Sequence, residues 1–109
     1  MINTLREKEQ ILNKEKVIEV IKAQKNLFNK YQIKTLALFG STARNEAKEN
    51  SDLDFLVEFN KPPTLSMYMN LKFYLEELFN KPVDLVTIKS IKAIIKESIL
   101  AEAVYVQNP

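Results

Sequence analysis

One glycine serves the whole 109-residue chain, and it stands where an apolar run stops: Leu36-Ala37-Leu38-Phe39 ends abruptly at Gly40-Ser41. A lone glycine at the end of a short strand marks a backbone that needs positive φ or the close approach of a ligand. The residues that follow, Ser41, Thr42, Ala43 and Arg44, read as the first turn of a short helix. Free N–H groups and the helix dipole at such a turn favour an anion. Ser41 brings a hydroxyl and Arg44 a fixed positive charge, both suited to a triphosphate. Taken alone, the segment reads equally as an ordinary strand-to-helix turn hinged at glycine.

Twelve residues beyond the turn, Asp52-Leu53-Asp54-Phe55-Leu56-Val57 alternates and then runs apolar, as a strand does on entering a core. Residues two apart on a strand point to the same side, so Asp52 and Asp54 are predicted to share one face and Leu53 and Phe55 the other. Aspartate is disfavoured in strands, and two carboxylates held this close raise each other's pKa unless a cation lies between them. Mg2+ resolves that conflict, binding one or two carboxylates and taking its other ligands from water and phosphate oxygens. In isolation Asp52 also fits a loop end and Asp54 a solvated surface. Beside the Gly40 turn, the pair reads as a metal site facing a phosphate cradle.

Gly40-Ser41-x-Ala43-Arg44, followed by Ser51-Asp52-x-Asp54-x-Leu56-Val57, resembles the signature of the minimal nucleotidyltransferase (MNT) domains of the DNA polymerase β-like nucleotidyltransferase superfamily. The resemblance covers nearly the whole chain, from the helix before Leu36 to Glu102-Ala103-Val104-Tyr105. It implies a third carboxylate on a later strand. Val83-Asp84-Leu85-Val86 supplies one after Lys81-Pro82, which breaks the preceding helix; a surface position on an edge strand is the plain alternative for Asp84. The resemblance further implies that Asp52, Asp54 and Asp84 are catalytic and bind metal, with Gly40, Ser41, Arg44 and Ser51 contacting the nucleotide. Two Mg2+ ions about 3.5–4 Å apart and ATP as donor complete the implied site. One position departs from the family, where glycine commonly follows the arginine and this chain has Asn45. Asparagine tolerates left-handed backbone better than most residues.

Stand-alone MNT proteins commonly work with a HEPN-domain protein in a toxin–antitoxin pair. The resemblance therefore implies an antitoxin that transfers AMP from ATP to a tyrosine hydroxyl of a HEPN ribonuclease toxin. Two other classes stay open. One is a non-catalytic antitoxin acting by direct binding, with exposed apolar residues around Tyr68 and Tyr74 as its footprint. The other is a nucleotidyltransferase acting on a small-molecule hydroxyl.

Composition narrows the field. With 46% hydrophobic residues, 28% charged residues and four prolines, the chain suits one core and one domain over residues 1–109, without a linker or repeat. No apolar run approaches the ~20 residues that span a bilayer, and Arg6, Glu7, Lys8 and Glu9 leave no signal-peptide core. The absence of cysteine excludes disulfides and thiolate metal sites and fits a cytoplasmic setting. The absence of histidine excludes His-based triads and His-ligated zinc, leaving acid–base work to carboxylate, Lys or Tyr. A net charge of +2, with no dense basic groove, argues against direct binding of long nucleic acid.

The expected layout is helix, strand, short helix, strand, helix, strand, helix, an α/β (α+β) domain. The resemblance implies a small mixed β-sheet flanked by helices. An apolar stripe of near-helical period predicts one helix over residues 14–30, with its lysines on a solvated face and residues 1–13 extending it or fraying. Thr64 or Ser66 can cap a second long helix through Phe79, mostly a core helix. A closing helix over residues 90–102 is expected to start at a Ser90 cap and to bury Ile91, Ile94, Ile95, Ile99 and Leu100. Val104, Tyr105 and Val106 can add an edge strand.

Overall fold

The computed structural model describes residues 12–48, 50–91 and 93–106. Helix α1 (Lys14–Lys22) starts where the side chain of Asn13 accepts the Lys16 N–H, and it buries Val17, Val20 and Ile21. Leu12 and Asn13 lie outside the helix, so α1 does not extend back through them; residues 1–11 lie outside the described residues. The expected single helix over residues 14–30 is two. Ala23 caps α1, a turn follows, and α2 (Leu27–Lys30) begins a separate turn that buries Leu27 and Phe28. The apolar stripe continues through the break because both pieces face one core, and periodicity alone does not register a turn between them.

Strand β1 (Ile33–Phe39) leads into the one-turn helix α3 (Gly40–Ala43). Strand β2 (Leu53–Phe59) precedes α4 (Leu65–Phe79), capped at its start by the Thr64 hydroxyl, which accepts the Met67 N–H. Asn80 ends α4 in the left-handed region at φ 53°, and Pro82 then keeps the helix from continuing. Strand β3 (Val83–Thr87), a 3-10 turn (Ile88–Ser90), α5 (Ala93–Glu102) and β4 (Val104–Val106) complete the order. The sheet is mixed, ordered β3-β2-β1-β4, with β2 and β3 parallel and the other pairs antiparallel. The expected fold class, a small mixed sheet flanked by helices, is the one observed. Among the described residues, no helix is long and apolar enough to cross a membrane.

Register divides the sheet into two faces. Leu36 and Leu38 of β1 pair with Val57 and Phe55 of β2, which continue to Thr87 and Leu85 of β3. The apolar residues of this face join Val17, Ile21, Phe28, Leu71, Leu75 and Phe79 of the helices in one core. Alternation turns Phe39, Asp54 and Asp84 to the opposite face, where they lie side by side in one row. The polar row therefore sits on the side of the sheet away from the main core.

One expectation about the helices is met in part and one needs correction. The two tyrosines themselves turn inward, the Tyr68 hydroxyl donating to the Leu85 carbonyl, while the same helix exposes Leu65 and Phe73 beside them. The Tyr74 hydroxyl donates to Gln24 Oε1 at 2.6 Å, and its ring lies 5.8 Å from that of Tyr31. Both side chains are tied inward. In α5 none of the described residues is fully buried, and Ile94 is 87% exposed. The Ser90 hydroxyl bonds to the Thr87 carbonyl within the 3-10 turn. An apolar period shows which residues could share a face, but not whether another layer covers it.

Candidate active site

Asp54 stands at the centre of the polar row, between Phe39 on β1 and Asp84 on β3. It is half-buried, and its pKa is pushed up from 3.8 to about 6. Burial is the main cause, followed by the negative charges of Asp84, Asp52 and Glu102, while Arg44 pulls the other way. The carboxylates therefore act on one another through a poorly solvated space. Asp52 belongs to this field, although it is exposed and lies one residue before β2 rather than within the strand as expected. The first N–H of β2, on Leu53, donates across to the Pro82 carbonyl at 3.0 Å, so pairing begins only there.

Gly40 follows Phe39 at the end of β1 and has φ +74°, a conformation that penalises any side chain. A Cβ built on it would lie 2.1 Å from Asp54 Oδ2. The Asp54 carboxylate thus lies against the bare face of the glycine, and the positive φ is the need that the sequence had implied there. After Gly40 the chain closes α3 and turns back: Arg44 N–H donates to Gly40 O, Asn45 N–H to Thr42 O and Glu46 N–H to Ser41 O. Asn45 holds the left-handed position at φ 57°, so the turn survives the replacement of the family's usual glycine. Its side-chain oxygen also accepts the Lys14 N–H at 2.9 Å, at the start of α1.

The cradle donors already have an acceptor within the chain. Gly40 N–H donates to Glu102 Oε2 at 2.8 Å, and Arg44 Nη1 donates to Oε2 at 2.9 Å and to Oε1 at 3.3 Å. Arg44 Nε also donates to Glu46 Oε1 at 3.0 Å. Its pKa is raised, chiefly by the Glu46 hydrogen bond, so the guanidinium stays charged. Sequence reasoning missed Glu102 as a site residue. The available signal was its place at the C-terminal end of a helix, where the dipole disfavours an anion.

Asp84 is exposed on β3, whose start is fixed from α4: Glu76 Oε2 accepts the Val83 N–H at 3.0 Å and the Lys72 ammonium at 2.9 Å. Ser51 closes the loop before Asp52, its hydroxyl oxygen accepting the Lys48 N–H at 2.8 Å while its own N–H donates to Lys48 O at 3.0 Å. Ser41 is partly exposed on α3 beside Gly40. The structure thus gathers Gly40, Arg44, Asp54 and Asp84 around one point and brings the charge of Asp52 to bear on it. Ser51 lies in the loop that leads into Asp52 and bonds to Lys48 there.

Among the described residues, no group of three or more carboxylates is arranged to hold a metal ion by itself. Mg2+ asks less of a protein, since it usually keeps several waters and takes one or two carboxylates together with phosphate oxygens. Hard oxygen donors in a space where burial first, and the neighbouring carboxylates second, lift the Asp54 pKa fit a divalent cation that arrives with a phosphate-bearing substrate.

The nucleotidyltransferase domain family matches residues 14–106. Protein adenylyltransferase MntA of Thermococcus cleftensis is 41% identical over 97 residues, a match that spans 88% of this chain and 98% of that protein. A solved structure provisionally described as a minimal nucleotidyltransferase superposes with a TM-score of 0.68 at 35% identity, covering 80% of this chain and 93% of that one. A complex of tri-AMPylated Shewanella oneidensis HEPN toxin with MNT antitoxin contains a chain of the same fold, with a TM-score of 0.62 at 16% identity over 87% of this chain and 72% of that one. The chain belongs to the nucleotidyltransferase domain family and is a minimal, MntA-like nucleotidyltransferase.

Proposed function

We propose that this chain is a cytoplasmic antitoxin that transfers AMP from ATP to a tyrosine hydroxyl of a HEPN-domain toxin, with Mg2+ as its metal. The observation that carries the proposal is the row of Asp54 and Asp84 beside the bare backbone of Gly40. It brings together acidic side chains and phosphate-binding donors on one open face. The name of the Thermococcus relative and the AMPylated toxin in the Shewanella complex support the choice of donor and acceptor.

In this mechanism Gly40 N–H, the Ser41 hydroxyl and Arg44 hold the β- and γ-phosphates, and Ser51 holds the loop that presents Asp52. Asp52, Asp54 and Asp84 would hold Mg2+, which supplies charge neutralisation for the phosphates and for the in-line displacement. Asp84, the most exposed end of the row, orients the acceptor hydroxyl. The tyrosine oxygen forms a bond to the α-phosphorus, the bond from that phosphorus to the bridging oxygen breaks, and pyrophosphate leaves. The hydroxyl proton passes to a carboxylate of the row or to water.

Intact-mass analysis of the HEPN partner after incubation with this chain, Mg2+ and each NTP tests the proposal. An AMP increment with ATP, seen with the native chain and not with Asp52→Asn/Asp54→Asn, is the expected result. The exposed apolar face of α5, with Ile94 and Ile95 open to solvent, favours a second reading, neutralisation by direct contact. Tight complex formation without any increment would select it.

A further inference from the structure

Glu102 is the last residue of α5, and its carboxylate reaches the first residues of α3. It accepts the Gly40 N–H and both bonds from Arg44 Nη1. These are the donors a phosphate oxygen needs at this turn, a backbone N–H and a guanidinium. Glu102 satisfies them from within the chain. The Gly40 N–H carries one hydrogen, so a carboxylate and a phosphate oxygen compete for it. Two unfavourable terms act on the residue where it stands: an anion sits at the C-terminal end of a helix, and its charge adds to those of Asp52 and Asp84 around Asp54. The bonds to Gly40 and Arg44 offset both.

We propose that Glu102 is an internal occupant of the phosphate cradle, one that a nucleotide's terminal phosphate displaces before Gly40 and Arg44 can hold it. The inference rests on the triphosphate reading of the cradle and adds a gate to it. Opening the gate asks only for rotation of a side chain with three χ angles. The pairing of Val104 with Leu38 stays in place. If Glu102 instead stayed put and merely positioned Arg44, removing its charge would weaken phosphate binding, so the two roles predict opposite signs.

Because Gly40 is the sole glycine, protein labelled with 15N-glycine gives one backbone amide resonance, which reports directly on this hydrogen bond. Inorganic triphosphate with Mg2+ is titrated into the native chain, Glu102→Gln and Glu102→Asp, each checked for folding by thermal melting. The Gly40 resonance is expected to differ between native and Glu102→Gln before titration and to move with triphosphate in both. Binding should be about tenfold tighter in Glu102→Gln, the scale of a lost charge-assisted competitor. Glu102→Asp, one methylene shorter, should fall between. Equal or weaker binding in Glu102→Gln, or a Gly40 resonance that triphosphate does not move, overturns the gate. Should Glu102→Gln fail to fold, Glu102→Asp decides by the same criterion. Tightening without nucleotide transfer to any protein acceptor would keep the gate and remove the transferase reading. Transfer with unchanged affinity would remove the gate alone.

Discussion

Asp54 leans on Gly40 so closely that a methyl group at position 40 would lie 2.1 Å from its Oδ2. The contact links the two halves of the site, because the glycine directly follows β1 and the aspartate stands near the start of β2 on the face away from the main core. It also makes the sole glycine irreplaceable on two separate grounds, space and a φ of +74°.

Gly40→Ala should therefore fold but lose its site. The left-handed backbone costs about 1–2 kcal/mol for a residue with a side chain, and the Asp54 carboxylate must rotate away from its place in the row. Thermal melting should show a modest fall in Tm, while transfer activity drops by about 10²-fold or more, the scale of a reacting geometry displaced by an ångström. Near-native activity would show that the close approach has no part in the chemistry.

Asp54 should also weaken the fold that holds it. Its folded pKa, about 6, lies above the ordinary 3.8, so the folded state binds the proton more readily than the unfolded chain. The penalty for the ionised form is fully present above about pH 6 and fades as the pH falls toward 3.8. Allowing for solvent screening, it amounts to about 1–2 kcal/mol. Urea unfolding without divalent metal should find Asp54→Asn more stable than the native chain at pH 7, with the gap narrowing at pH 5. The same variant should be inactive. A less stable Asp54→Asn at pH 7 would contradict the electrostatic account.

The parts of this site legible in the sequence are those governed by local rules. Strand alternation places Leu53 and Phe55 in the core and Asp54 on the other face, and the lone glycine marks the backbone that needs positive φ. Asp84 comes from the family resemblance, because the local pattern of an acidic residue inside an apolar run fits a surface position on an edge strand equally well. Glu102 carried only the signal of an anion at a helix C-terminus, which does not name its partner, because Gly40 is 62 residues away and no local pattern links a helix end to a distant turn. The break between α1 and α2 was hidden for a related reason: Val20, Ile21, Leu27 and Phe28 all reach the same core, so the stripe runs on through the turn. The exposure of Ile94 reflects which layers the fold supplies. Periodicity carries no information about that.

Asn45 stands where the family commonly has glycine, and its two tasks can be separated. Asn45→Gly keeps the left-handed backbone and gives up the bond to the Lys14 N–H, whereas Asn45→Ala gives up both. Denaturant unfolding should rank native above Asn45→Gly above Asn45→Ala, with the alanine variant losing about 1–2 kcal/mol. Equal stability of the two variants would mean that the backbone conformation carries no cost here.

Glu76 places Asp84 indirectly, by accepting the first N–H of β3 one residue before the aspartate. Its pKa is lowered from the ordinary 4.5, first by that Val83 hydrogen bond and then by Lys72. The sign is opposite to that of Asp54: the stabilisation is present above about pH 4.5 and is lost as the pH falls through the lowered folded value. Glu76→Ala leaves the Val83 N–H without its acceptor and should cost about 1 kcal/mol at pH 7. The variant should also lose the part of the native chain's acid sensitivity that Glu76 supplies, so the difference between the two proteins shrinks at low pH. Because β3 carries Asp84, transfer activity should fall as well, with Glu76→Gln recovering part of it by still accepting the Val83 N–H. A Glu76→Ala variant with unchanged activity and an unchanged stability difference across this pH range would show that β3 is registered by its pairing with β2 alone.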